Sequence, residues 1–310
     1  MEEKIEIINL LQSRQVLEHE LQSLVYGTVE IRENESNKYI YVHYREDGVA
    51  LTKYVGEYSD ELYNLVLNNS IKAKQLKKQI REITKKLKQL NYTEEELSEK
   101  VQQNIDFAKR HLVDTIYKQA ILEGVATTFA DTESIIEGGK VNNMTSEDIL
   151  KIVNLKHAWE FILNKNVILS DTNFALLCEI NKMVEEGFYY TAGKVRNTPV
   201  TIGGTTWKPD LPIESVIKEE LEEIFNKELD DVDRAIELLL YTMKKQVFID
   251  GNKRTAVIYS NHYLISKGKG IIAIPAELTE EFKDLLIPYY EGKDEKQIKK
   301  FIKEKCYMSI

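Results

Sequence analysis

The spacing of apolar positions changes character along the chain. Over residues 3–25, Ile7, Leu10, Leu17, Leu21 and Leu24 recur at helical spacing, with the polar Arg14 interrupting the stripe. The period then drops to two. Val29-Glu-Ile31, Tyr39-Ile-Tyr-Val-His43 and Leu51-Thr-Lys-Tyr-Val55 alternate apolar and polar residues, separated by turn-type stretches at Asn34–Asn37 and Glu46–Gly48. This predicts a three-stranded antiparallel meander, which needs a helix beneath it to be stable. From about Ser59 the helical period returns. Leu76, Ile80, Ile83, Leu87 and Leu90 step by four and three, a heptad seam that predicts pairing with 3–25 as a helical hairpin.

Beyond Asn91 the pattern is helical almost throughout. Thr93 and Glu96 stand in capping-box register, opening a helix predicted to run from about 94 to 128. Ile135 and Ile136 mark a short helix that ends at Glu137 before Gly138-Gly139. Further helices are predicted over 146–164 (capped by Thr145 or Ser146), 171–186, 213–228, 231–246, 278–290 and 295–307. The 171–186 segment turns Ala175, Leu176, Ile180 and Met183 to one face. One stretch breaks the helical rule. Val200-Thr-Ile202 and Thr205-Thr-Trp207 flank Gly203-Gly204, a two-residue hairpin signal. A lone hairpin among helices reads as a functional flap.

Composition narrows the class. The chain has 310 residues, 43% of them hydrophobic, and a net charge of -9. An acidic chain argues against non-specific nucleic-acid binding as its main business. Cys178 and Cys306 show no metal or disulfide spacing and fit a reducing cytosol. The charged start, Met-Glu-Glu-Lys-Ile-Glu, is no signal peptide, and no apolar run is long enough to span a membrane. We expect a cytoplasmic protein with no membrane partner. Against the acidic average, Lys72, Lys74, Lys77, Lys78, Arg81, Lys85, Lys86 and Lys88 crowd one predicted helix. Two readings stay open for that run: a solvated helix face, or a patch for an acidic partner or nucleic acid.

The chemistry concentrates in Gln246-Val-Phe-Ile-Asp-Gly-Asn-Lys-Arg-Thr255, followed by the apolar run 256–265. A Gly-Asn turn opening a helix leaves free backbone N–H groups and the positive dipole end facing outward, an anion site for which phosphate is the usual guest. Asp250 could hold Mg²⁺, and Lys253 and Arg254 could hold phosphate oxygens.

The order Ser-x-Ile-Glu-Gly, then Gly-x-x-Arg with Val-x-Ile-Gly-Gly, then Phe-x-Asp-Gly-Asn-Lys-Arg-Thr resembles the Fic/Doc (Fido) family over roughly 110–310. The resemblance implies a mainly α, Fic-type helical domain (111–310) with a β-hairpin flap; the helical hairpin and β-meander module read from the periodicity (1–110) precedes it and lies outside the resemblance. It implies transfer of AMP from ATP, with Mg²⁺, to a hydroxyl of a target protein. The Doc branch, with Lys in the loop as at Lys253, transfers phosphate. By the same resemblance Asp250 would coordinate Mg²⁺, Gly251, Asn252 and Lys253 would form the phosphate nest, and Arg254 would pair with phosphate. Phe248 would anchor the motif, and Glu137 would be an inhibitory glutamate. Val200, Thr201, Ile202, Gly203 and Gly204 would dock the target protein by strand addition.

The chain departs from that family at two positions. Gln246 stands where the general-base histidine is expected, and an amide accepts no proton near neutral pH. Val257 stands where a second arginine is expected, so Glu137 lacks its usual partner. His262, eight residues beyond Arg254 in an apolar run, reads as a core histidine. The expected function is therefore an atypical, weak nucleotide transferase. An inactive nucleotide- or protein-binding module and a Doc-like phosphotransferase are the alternatives. A nucleic-acid partner for the N-terminal module is a further expectation.

Overall fold

A helix with no polar face has to be buried on all sides. Here it is α11 (Asn252–Ser266), in which Arg254 to Ile265 are all buried. Several other helices of its unit pack directly on it. The structure, a computed structural model, describes residues 2–34, 37–46, 49–90, 92, 97–142, 144–293 and 295–310. The chain divides into two compact units, Met1–Thr93 and Glu94–Ile310.

The first unit begins with α1 (Glu2–Ser23) and continues through strands β1 (Thr28–Asn34), β2 (Asn37–Glu46) and β3 (Val49–Glu57) to α2 (Asp60–Gln89). The meander is antiparallel in the order β1-β2-β3, with Ile31 opposite Ile40 and His43 opposite Thr52. One side of β2 carries Ile40 and Val42, both buried. The other carries Tyr39, Tyr41 and His43, so the alternation read from sequence is the in–out alternation of the pleat. Ser59 caps α2 by accepting from the Leu62 amide at 3.1 Å. Ser70 ties α2 to the start of β1, donating to Gly27 O (3.0 Å) and accepting from Gly27 N (3.1 Å). The α1–α2 hairpin forms as predicted, but its α1 seam is Ile8, Leu11 and Arg14, all buried. Arg14 therefore lies within the stripe: its whole side chain is buried, and Glu18 meets its guanidinium at 3.7 Å.

The second unit holds α3 (Glu99–Arg110), α4 (Leu112–Leu122), α5 (Phe129–Ile136), α6 (Ser146–Ile162), the single turn α7 (Lys165–Ile168), α8 (Phe174–Val184), α9 (Glu214–Asn226), α10 (Asp231–Lys245), α11, β4 (Ile271–Ile272), α12 (Thr279–Tyr290), α13 (Glu295–Phe301) and β5 (Tyr307–Met308). Three differences from the sequence reading have physical causes. The helix expected over 94–128 is two helices joined at His111 and ending before Gly124, whose φ of 78° is a left-handed stop. Its start lies at Ser98, which accepts from Val101 N; the Thr93/Glu96 capping pair lies outside the described residues. The division falls at Thr93/Glu94 rather than at 110, because buried Asn104 on α3 bonds Gly270 through both its amide groups, at 2.7 and 3.1 Å. The third is the flap. Gly203-Gly204 does turn, with φ 83° at Gly204, but the flanks form no paired strands. Two three-residue flanks are short for a free hairpin. Thr205 instead donates to Glu291 (2.8 Å), and Trp207 stacks on Tyr290 with ring centroids 5.8 Å apart. The β4–β5 pair, too short to show a period, was absent from the sequence reading.

No helix among the described residues is long and apolar enough to cross a membrane. Asn261, wholly buried on α11, receives Ile272 N and donates to Ile272 O, both at 2.8 Å, which fixes β4 against the central helix. Asn261→Ala orphans both groups of Ile272, each at about 1–3 kcal/mol. We expect a lower urea midpoint with an unchanged slope; an unchanged midpoint would remove this account of β4.

Candidate functional site

The loop 246–251 is positioned by side chains that bond to backbone. Helix α10 ends at Gln246, whose φ of 48° makes it the non-glycine residue with left-handed backbone among the described residues. Such a conformation costs on the order of 1–3 kcal/mol and persists where neighbours over-determine it. Three bonds do so here. Gln246 Nε2 donates to Met243 O (2.7 Å), Gln246 Oε1 accepts from Asn252 (3.2 Å), and Gln246 O accepts from Arg196 Nε (2.6 Å). Asn252 also clamps Phe248, accepting from its N–H at 2.9 Å and donating to its carbonyl at 2.8 Å. Phe248 is buried as the motif's anchor.

The first turn of α11 follows. Gly251 is left-handed at φ 71°, and a Cβ there would collide with the Glu185 carboxylate. The helix's first bond runs from Thr255 N to Gly251 O (2.8 Å), so the amides of Asn252, Lys253 and Arg254 precede the ladder. Two buried amides hold this turn from outside. Asn181 on α8 donates to Asp250 O (3.0 Å) and Thr255 Oγ1 (3.1 Å). Gln119 on α4 donates to Arg254 O (2.7 Å) and is itself oriented by the Trp159 indole N–H at 3.0 Å.

The charges sit where the helices end. Arg254, 3% exposed, meets Glu185 at 2.7 Å, Glu123 at 3.5 Å and Asp250 at 3.8 Å. Lys253 meets Glu123 at 3.4 Å. Arg254 Nε and Nη1 and one oxygen of each of Glu123 and Glu185 are buried without a hydrogen bond. Burial pushes the Glu185 carboxyl up to about 7, against the opposing pull of Arg254. Asp250 is half exposed and accepts from Gly251 N at 2.7 Å. Its charge is the main influence raising the Tyr189 hydroxyl.

Comparison with known proteins bears on this segment. Residues 171–264, which include the loop and both helices that flank it, match the family model of the Fic/DOC family. This segment is a Fic/DOC-family domain. Solved structures share its fold at low identity. The chain is similar to Fic-1 (residues 134–508) of Caenorhabditis elegans, at 16% identity and TM-score 0.53 over 78% of this chain and 79% of that one. It is similar to a Fic-domain-containing signalling protein of Bacteroides thetaiotaomicron VPI-5482, at 20% identity and TM-score 0.51, covering 61% and 75%. A Fic family protein of Desulfovibrio desulfuricans G20 matches at 13% identity and TM-score 0.52, covering 67% and 72%. No curated protein matches the sequence significantly.

Within the Fic/DOC domain, Gln246, Asp250, Gly251, Asn252, Lys253 and Arg254 come together as one loop and helix start. Val257 is buried core. His262 is also buried, with Nδ1 on Thr172 (2.8 Å) and Nε2 on Val167 O (2.9 Å); burial brings its pKa down to about 4. It is the core histidine that its apolar run implies. Glu137 caps the end of α5 and is exposed. Among the described residues, the carboxylates paired with Lys253 and Arg254 are Glu123, Glu185 and Asp250, and Glu137 is not one of them. Glu123 and Glu185 were missed by the sequence reading. Their signal was faint: each follows the last turn of an apolar helix, an unfavourable place for a carboxylate without a cation. Arg196 joins the flap to the loop, with bonds to Thr198 O (2.8 Å) and Asp210 O (2.6 Å) besides Gln246 O.

Two outcomes follow. Gly251→Ala places a methyl group on the Glu185 carboxylate, and we expect a stability loss of more than about 1 kcal/mol by urea denaturation; an unchanged midpoint would show that Glu185 moves aside freely. For Glu185, a folded pKa above the unfolded value of 4.5 means that the native state holds the extra proton between about 4.5 and 7. Wild-type stability, measured relative to Glu185→Gln, should therefore fall as pH rises through that window, by roughly 2–3 kcal/mol, and level off above it. A flat difference between pH 5 and 8 contradicts the shift.

Proposed function

We propose that the start of α11 binds the phosphates of a nucleotide, ATP with Mg²⁺, and that the Fic/DOC domain transfers AMP from it to a protein hydroxyl, slowly. The observation that supports the binding step is Arg254. It is a buried guanidinium with two nitrogens lacking hydrogen bonds, next to helix-start amides outside the α11 ladder. That donor set suits phosphate oxygens. Half-exposed Asp250 fits Mg²⁺, which is commonly held by one or two carboxylates together with substrate phosphates. The metal would neutralise phosphate charge beside a loop where two cations already face three carboxylates.

In the proposed reaction, the target hydroxyl oxygen bonds to the α-phosphorus while the bond from that phosphorus to the β-phosphate bridge breaks, releasing pyrophosphate. The hydroxyl proton has to leave in the same event. Gln246 cannot take it. Its Nε2–H is committed to Met243 O, and its Oε1 accepts from Asn252. General-base assistance of about 10²–10⁴-fold is thus missing, while positioning and electrostatic stabilisation are retained. The segment Val200–Gly204 supports target docking. It has a turn at its tip and flanks not paired to each other, so their backbone is not committed to a hairpin and would have to pair with the incoming extended backbone directly.

The bonding of Gln246 also favours a second reading, in which the domain binds nucleotide without transferring it. One set of measurements separates the two. ATP·Mg²⁺ at 100 times Kd should stabilise the protein by about 2.7 kcal/mol and raise Tm, and Lys253→Ala should shrink that shift. α-Labelled ATP should label a protein weakly with the wild type and about 10²–10⁴-fold faster with Gln246→His. A Tm shift without labelling by either variant leaves binding alone; no Tm shift removes both readings.

A further inference from the structure

Most lysines in this fold are used. In α2, Lys72 pairs with Glu20 at 2.5 Å, and Lys77 lies over the Tyr26 ring at 4.6 Å. Lys74, Lys78, Arg81, Lys85 and Lys88 are different. All five are exposed, and no side chain among them makes an ion pair or hydrogen bond with another described residue. Their spacing is 4, 3, 4, 3, so at 100° per residue they fall within about 40° of one line along the helix. That line is about 21 Å long, with a cation roughly every 5 Å. Glu82 lies about 80° round from it, so no acid interrupts the row. The buried residues of this stretch, Ala73, Leu76 and Leu87, face away from it.

We propose that this row is a docking track for the phosphate backbone of duplex nucleic acid. A chain with a net charge of -9 gains nothing in solubility from concentrating five like charges on one line, and their mutual repulsion is a cost that a polyanion would relieve. Protein partners are the less suitable class. Their interfaces centre on apolar, aromatic or arginine anchors and are depleted in lysine. This row holds four lysines and one arginine with no apolar residue on the line. Flexible lysine stems suit phosphates at variable positions, and the binding they give is insensitive to sequence. The track belongs to the first unit alone and does not depend on the nucleotide site.

The test uses the full-length chain and a fluorescent 20-base-pair duplex of arbitrary sequence, with anisotropy read between 50 and 200 mM salt. Five neutralised phosphates predict a slope of log K against log salt of about -4.5, roughly a 500-fold loss over that range. Lys78→Gln/Arg81→Gln/Lys85→Gln should lower the slope by about three units. A charge-preserving variant, Lys78→Arg/Lys85→Arg, should bind as the wild type does. A control triple of exposed lysines elsewhere, Lys165→Gln/Lys208→Gln/Lys227→Gln, should leave the slope unchanged. Thermal melts check that each variant is folded. No binding at 50 mM salt overturns the proposal, as does equal binding by the glutamine triple. Poly-glutamate displacing the duplex at equal charge concentration would overturn it in favour of an acidic protein partner.

Discussion

A buried guanidinium at the start of an almost wholly buried helix sets the terms for the second unit. Helix α11 is the hub of that unit, so its first turn cannot be left in water, yet that turn carries Arg254. A desolvated cation is tolerated only with opposite charge close by. The ends of α4 and α8 supply it as Glu123 and Glu185, and the same two helices supply Gln119 and Asn181 to hold the backbone. The walls of the site therefore follow from the need to bury α11.

The residue at the end of α10 is held by the same network. Gln246 is bonded at three atoms, one bond reaching back into its own helix, one reaching forward to Asn252 and one to Arg196. The αL turn that aims the loop does not require a base at this position; it requires hydrogen-bonding partners, and glutamine supplies them. Scaffold and proton acceptor are separate properties of one position. This chain keeps the first without the second.

The sequence disclosed the parts that depend on local period or on a short contiguous motif. The meander, α2 and α10 have strong periodicity, α11 is a nearly unbroken apolar run, and Asp250–Arg254 is one uninterrupted string. It concealed what depends on meetings between distant segments. Glu123 is far from Arg254 in sequence, and its place at the end of an apolar helix says only that it needs a cation, not which one. Glu137, which stands in a recognisable string, is exposed on α5 and pairs with neither cation of the loop. The flap shows the reverse: its Gly-Gly turn is real, but its second flank is held by Glu291 and Tyr290 and not by the first, a choice no local pattern records. Arg14 misled for a related reason: its charge reads as a break in the stripe, yet its side chain is buried with Glu18 beside the guanidinium.

Arg196 has a consequence of its own. One planar group grips three carbonyl oxygens that belong to different stretches of chain: the loop at Gln246, the flap base at Thr198 and the segment before α9 at Asp210. A fork of fixed geometry acts there as a rivet. Anything that lifts the flap base, such as a bound polypeptide pulling on Val200–Gly204, also tugs the carbonyl of the one strained non-glycine residue among those described. On the proposed reading, the surface that would meet a target and the position that would face the reacting oxygen are thus mechanically one piece. An engineer who regrafts the flap inherits the orientation of residue 246 unless this arginine is kept.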